Sequence, residues 1–232
     1  MMMTLRAFAV LLGYPSAELQ ANIRSIREAI AGERALPNVE LRRLEPLLAR
    51  VGSADLLDLQ SEYSELFDRS RSLSMHLFEH VHGDSRERGQ AMIDLGEQYL
   101  RAGFFLDTGE LPDFIPVFLE YASCLPPGEA REMLAQPAHV FAALAERLDK
   151  RPSPYASIFH GLVALAGERP DAEAVAGVEE HTPSVDPDSI DEEWEEAPIS
   201  FSAAAAHEMG GPTGIVAKIR AANRAANRES GR

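Results

Sequence analysis

The sequence is poor in the residues that build covalent or metal-centred scaffolds. It has one cysteine in 232 residues, Cys124, which excludes an internal disulfide framework and any Cys-based zinc or iron–sulfur centre. With no nearby motif, Cys124 is expected to be a small buried hydrophobe. Nothing asks for an oxidising compartment, and a reducing cytoplasm is expected. No stretch approaches the roughly 20 apolar residues of a membrane-spanning helix. The N-terminal MMMTLRAFAVLLGYP lacks the basic region and small-residue cleavage site of a signal peptide, so no membrane insertion is expected. A Gly-rich phosphate loop and a Gly-x-Ser-x-Gly elbow are both missing, which leaves nucleotide-binding and serine-hydrolase readings without support.

Positive charge is scarce in one region in particular. Between Pro170 and Ala217 there are twelve acids and no Lys or Arg, so this stretch supplies most of the net charge of −15. The last 15 residues are locally basic, with Lys218, Arg220, Arg224, Arg228 and Arg232 against Glu229. An acidic chain lacks the basic face that releases counterions from a phosphate backbone, and nucleic acid is not an expected partner.

What the chain has in quantity is helical periodicity. Leu19, Ile23, Ile26 and Ile30 follow Ser16, a candidate N-cap, and Leu56, Leu59, Tyr63, Leu66 and Phe67 follow Ser53. Met92, Leu95 and Tyr99 make another stripe, as do Phe141, Leu144 and Leu148, and Ile158, Phe159, Leu162 and Leu165. Strand-like alternation is missing. Breaks at Gly13–Pro15, Gly32–Pro37, Gly103–Pro112, Pro126–Gly128, Pro137 and Arg151–Pro154 divide residues 1–167 into about eight or nine helices, with Pro46 placed to kink or divide the third. The expected fold is all-α, an irregular single-domain helical bundle over 1–167. An acidic, mostly disordered tail is expected over 168–212, where Pro, Asp, Glu and Ser predominate, and a basic terminal helix over 213–232. Trp194 and Phe201 stand alone among the acids of the tail, which reads as a solvated linker or as a segment that contacts a partner.

The densest polar cluster lies in residues 67–92, where His76, His80 and His82 accompany Glu79, Asp84, Arg69, Arg71, Arg86 and Arg88. Three readings compete. His76-Leu77-Phe78-Glu79-His80 satisfies H-x-x-E-H, in which two histidines one helical turn apart bind zinc beside a general-base Glu; a third ligand is not evident. Alternatively the side chains join helix ends and satisfy buried carbonyls around Gly83. In the third reading they rim an apolar groove that holds a peptide.

The same segment carries a resemblance. LFDRSRSLSMHLFEHVHGDSRERGQAM, ELPDFIPVFLEY at 110–121, LLGYPS near the N-terminus and DEEWEEAPISF at 191–201 closely resemble stretches of the nitrate reductase delta subunit family, the NarJ-type assembly chaperones. Within the wider group of redox-enzyme maturation chaperones an acid and then Asp-His mark the second stretch. Here Glu110 and Asp113 match, but Phe114 replaces the histidine, so no role of that histidine carries over. The resemblance implies an all-helical chaperone with no catalytic residues, no metal and no cofactor of its own. It also implies a partner: the apo alpha subunit of a membrane-bound respiratory nitrate reductase, held chiefly through its N-terminal peptide until molybdenum cofactor is inserted. The residues expected to meet that partner are Arg69, Phe78, Glu79, His80, His82, Asp84, Arg86, Glu110, Asp113, Phe118 and Tyr121. Core packing is the competing reading for Phe78, Phe118 and Tyr121. For Glu110 and Asp113 the competing reading is a cap on the helix that follows Pro112.

Overall fold

The first helix, α1 (Met3–Leu12), is apolar on nearly every side, and Leu5, Phe8, Leu11 and Leu12 are completely shielded from solvent. Fully burying side chains of this size is worth about 1.5–3 kcal/mol each, and these four belong to the core of the helical bundle. The computed structural model describes residues 2–82, 87–107, 109–167, 170 and 172–180. Within them eleven α-helices follow one another: α1, α2 (Ala17–Glu33), α3 (Asn38–Ser53), α4 (Leu56–Tyr63), α5 (Leu77–His82), α6 (Glu87–Arg101), α7 (Ile115–Cys124), α8 (Pro127–Ala135), α9 (Ala138–Lys150), α10 (Ala156–Ala166) and α11 (Ala172–Glu180). A π-helical turn (Ser64–Asp68) and a 3-10 turn (Arg71–Leu73) link α4 to α5. No β-strand occurs among the described residues, so the all-α expectation holds.

The closest helix pairings are α9 with α10 and α1 with α7, followed by α2 against α1 and α3. The approach of α10 to α1 depends on Gly161, where an added Cβ would stand 2.8 Å from Cζ of Phe8. Helix ends are held by specific donors and acceptors. Ser16 Oγ accepts from Leu19 N–H at 3.1 Å and starts α2, as its sequence position predicts. The Glu33 carboxylate accepts the N–H groups of Met3 and Thr4, so the end of α2 caps the start of α1. Such an anion complements the positive end of the helix dipole.

Three local expectations are corrected. Ser53 does not cap α4: it ends α3, its hydroxyl donating to Ala49 C=O, and Asp55 accepts from Leu57 N–H at 2.9 Å in its place. Pro46 does not divide α3, which is continuous from Asn38 to Ser53. Cys124 is exposed at the end of α7, not buried. Helix α11 is a further finding. It lies in a stretch whose composition suggests solvated chain, yet Val178 is buried and α11 packs on α9, with Arg147 of α9 donating to Val178 C=O at 3.1 Å. The valines at 175 and 178, three residues apart, supply an apolar edge that composition averages away.

Candidate functional site

Two of the stretches that carry the family resemblance, residues 66–92 and 110–121, meet in space. An isolated antiparallel β-bridge pairs His76 with Phe114, with Ile115 N–H donating to Met75 C=O at 2.8 Å and Leu77 N–H donating to Asp113 C=O at 3.0 Å. The bridge delivers the side chain of Asp113, fully buried, to the open N-terminus of α5. There one carboxylate oxygen accepts from Phe78 N–H at 3.2 Å, and the other lies 3.1 Å from Nδ1 of His76. Asp113 thus caps a helix 35 residues earlier in the chain, and not the helix after Pro112. The hydrogen bond that His76 makes to the Asp113 carboxylate holds the His76 pKa above its ordinary value, outweighing the burial that would lower it.

His80, on α5, is only 2% exposed and donates from Nε2 to Ser74 C=O at 2.8 Å. Burial pushes its pKa down, consistent with a neutral ring satisfying a buried carbonyl. Glu79 pairs with Arg88 at 3.0 Å, tying α5 to α6, and the His82 ring lies 5.6 Å from that of Phe78. The H-x-x-E-H pattern is therefore not laid out on one helix face. His76 precedes α5 and is turned to Asp113, while His80 is turned to Ser74. Among the described residues no group of three or more His, Cys, Asp or Glu is placed to hold a metal ion.

Above this framework opens a cavity of about 420 Å³ between α5, α6, α7, α8 and the start of α9. Its apolar lining is Leu77, Phe78 and Val81 from α5, Leu95 from α6, Phe118 and Tyr121 from α7, then Leu125, Met133 and Pro137; Gln98, Glu129, Glu132, Gln136 and His139 add the polar positions. Phe118 and Tyr121 are each 4% exposed, so they belong to the core and also form the cavity wall, whereas Val81 is 40% exposed at its mouth. Tyr121 stacks 4.4 Å from Tyr99, whose hydroxyl donates to Pro112 C=O at 2.9 Å. Burial raises the Tyr99 pKa strongly. This contact anchors α6, in which Tyr99 alone is buried.

Of the residues expected to meet a partner, Phe78, Phe118 and Tyr121 line the cavity. His80 and Asp113 lie beneath it and hold α5, because both are spent on backbone groups of the α5 region. Glu79 and His82 stand beside it on α5, while Arg69 and Glu110 are exposed elsewhere. Asp84 and Arg86 lie outside the described residues, as do Trp194, Phe201 and the 213–232 segment. The α8 edge, with Glu129, Glu132, Met133 and Gln136, carries no sequence motif. Its only signal is the i, i+3, i+4 and i+7 spacing of those four residues on one helix face.

Similarity to known proteins follows the same residues. The family model described as nitrate reductase delta subunit matches residues 16–160. The chain is 43% identical over 194 residues to NarJ of Escherichia coli K12, a nitrate reductase molybdenum cofactor assembly chaperone, covering 83% of this chain and 82% of that one. It is 41% identical over 166 residues to NarW of the same strain, named for the same assembly role, covering 69% and 72%. Among solved structures, a redox enzyme maturation protein from Archaeoglobus fulgidus matches with a TM-score of 0.52 at 20% identity, covering 72% of this chain and 94% of that one. That last likeness concerns the fold.

Proposed function

The chain belongs to the nitrate reductase delta subunit family, and from that premise we propose that it is a non-catalytic chaperone for the assembly of a respiratory nitrate reductase. It acts in the cytoplasm, binding the apo catalytic (alpha) subunit, including its N-terminal peptide. While bound, it permits molybdenum cofactor insertion and delays docking to the membrane subunit. No helix among the described residues is long and apolar enough to cross a membrane, which fits a protein that meets its client before docking.

The observation that carries this reading is the open, largely apolar cavity walled in part by the 66–92 and 110–121 stretches. An amphipathic peptide helix laid in such a groove buries its apolar face against Phe78, Val81, Phe118 and Tyr121 and leaves its polar face to water. Binding of this kind hides an aggregation-prone segment without chemistry, and its reversibility is set by the buried area less the cost of ordering the peptide. The Asp113 cap and the His80 hydrogen bond keep α5 in place, so the groove is formed before the client arrives.

Production of the catalytic subunit in a host lacking other proteins of this family tests the proposal. Without the chain, the purified subunit should contain little molybdenum, and co-production should restore it. Full molybdenum content in the absence of the chain would contradict the role.

A further inference from the structure

The cavity between α5 and α8 carries a second message, about the chemistry of its occupant. Its charged lining residues are two carboxylates, Glu129 and Glu132, and no Lys or Arg lines it among the described residues. Both are exposed, both lie on α8 three residues apart, and neither has an ion-pair or hydrogen-bond partner among the described residues. Some carboxylates of the bundle are engaged, as where Glu33 caps α1 and Glu79 pairs with Arg88; what sets Glu129 and Glu132 apart is their place on the lining of the apolar cavity. Glu129 stands in the first turn of α8, where the helix dipole favours an acid. Glu132 is a turn further on, where that effect fades, and it stands on the lining of the apolar groove.

We infer that Glu129 and Glu132 set the client specificity of the groove: they select an amphipathic helix whose apolar stripe is flanked by Arg or Lys on the side that meets α8. This rests on the peptide-binding reading above. When a peptide covers the groove, the two carboxylates lose part of their hydration. A flanking cation replaces it with a charge-assisted hydrogen bond, while a neutral or acidic flank leaves them poorly solvated. The rim therefore accepts one class of amphipathic helix and rejects another with the same apolar stripe. Across the groove from α8 the polar lining is Gln98 on α6, with His139 at the start of α9 and no further carboxylate, so the acidic edge is confined to one side and orients the helix.

The test uses the full-length protein and two synthetic amphipathic peptides with the same Leu/Phe stripe, one with Arg and the other with Gln at two flanking positions. Calorimetry should find the Arg peptide about tenfold tighter, with the margin shrinking in about 0.5 M salt as the Debye length contracts. In the Glu129→Gln/Glu132→Gln variant the margin should fall below about twofold, with the Arg peptide weakened and the Gln peptide bound at least as tightly as by the parent, because no carboxylate is left to lose its hydration. Both positions are exposed, so the variant should melt with the parent. Equal affinity of the parent for the two peptides, or a variant that weakens both alike, would overturn the specificity assignment alone. Absence of binding by either peptide would overturn it together with the groove reading.

Discussion

Replacing Asp113 with Ala should destabilise the bundle by about 3 kcal/mol. The carboxylate is fully buried and accepts from Phe78 N–H and the His76 ring at 3.2 and 3.1 Å. Loss of an N-terminal cap costs about 1 kcal/mol, and loss of a hydrogen bond to a charged group about 1.5–3 kcal/mol. For a domain of this size about 3 kcal/mol corresponds to a fall of roughly 6–12 °C in melting temperature. Asp113→Asn keeps one acceptor and should lose about half as much. The pH dependence separates this account from simple loss of packing. Because His76 has a folded-state pKa above its unfolded value, its contribution is complete below the unfolded pKa of about 6.5 and is lost as pH rises through the folded value. The gap between the parent and Asp113→Asn should therefore be widest near pH 5.5 and narrower near pH 9, read by urea unfolding followed by circular dichroism. An Ala variant within about 0.5 kcal/mol of the parent, or a gap that is flat with pH, would refute the reasoning.

Three further substitutions probe separate parts of the account. Gly161→Ala drives a methyl against the fully buried Phe8 ring and should cost about 1–3 kcal/mol by overpacking, with a smaller loss in a Gly161→Ala/Phe8→Leu double variant than the two single changes sum to. Tyr63→Phe removes the buried hydroxyl that donates to Leu12 C=O at 2.8 Å and should cost about 1 kcal/mol in denaturant unfolding; no change would mean that the carbonyl finds another donor. Val81→Asp places a charge at the exposed mouth of the groove, and it should weaken client-peptide binding at least tenfold while shifting the melting temperature by no more than about 2 °C. A variant that binds as well as the parent would remove Val81 from the interface.

Periodicity made the helices legible because each buries a stripe at 3.6-residue spacing, and most of the Gly and Pro breaks mark helix ends, with Gly32 in the last turn of α2 and Pro127 and Gly128 in the first turn of α8. Joining the two family stretches was not legible in the same way. The His76–Phe114 bridge and the Asp113 cap connect residues more than 30 positions apart, and local spacing holds no information about such a pairing. For the same reason local spacing offers Asp113 a cap only on the helix that follows it, while the structure uses it on α5. The His-rich segment looked like a potential metal site because its side chains are close in sequence, but the chain turns His76 toward Asp113 and buries His80 against Ser74. The aromatic pair Phe118 and Tyr121 was legible as core or groove without a way to separate the two, and both readings describe it, since each side chain is buried and also lines the cavity. The acidic rim on α8 had no motif to announce it. Only the position of α8 across from α5 gives Glu129 and Glu132 a common outlook.

The central claim, capture of the catalytic subunit through its N-terminal peptide, is most directly tested by titrating the purified full-length chain with that peptide in a calorimeter and repeating the thermal melt at each concentration. Saturable binding is expected, with a melting temperature that rises with peptide concentration, since a ligand that binds only the folded state stabilises it by RT ln(1 + [L]/Kd). No heat and no shift at peptide concentrations that saturate a relative of this family would contradict it.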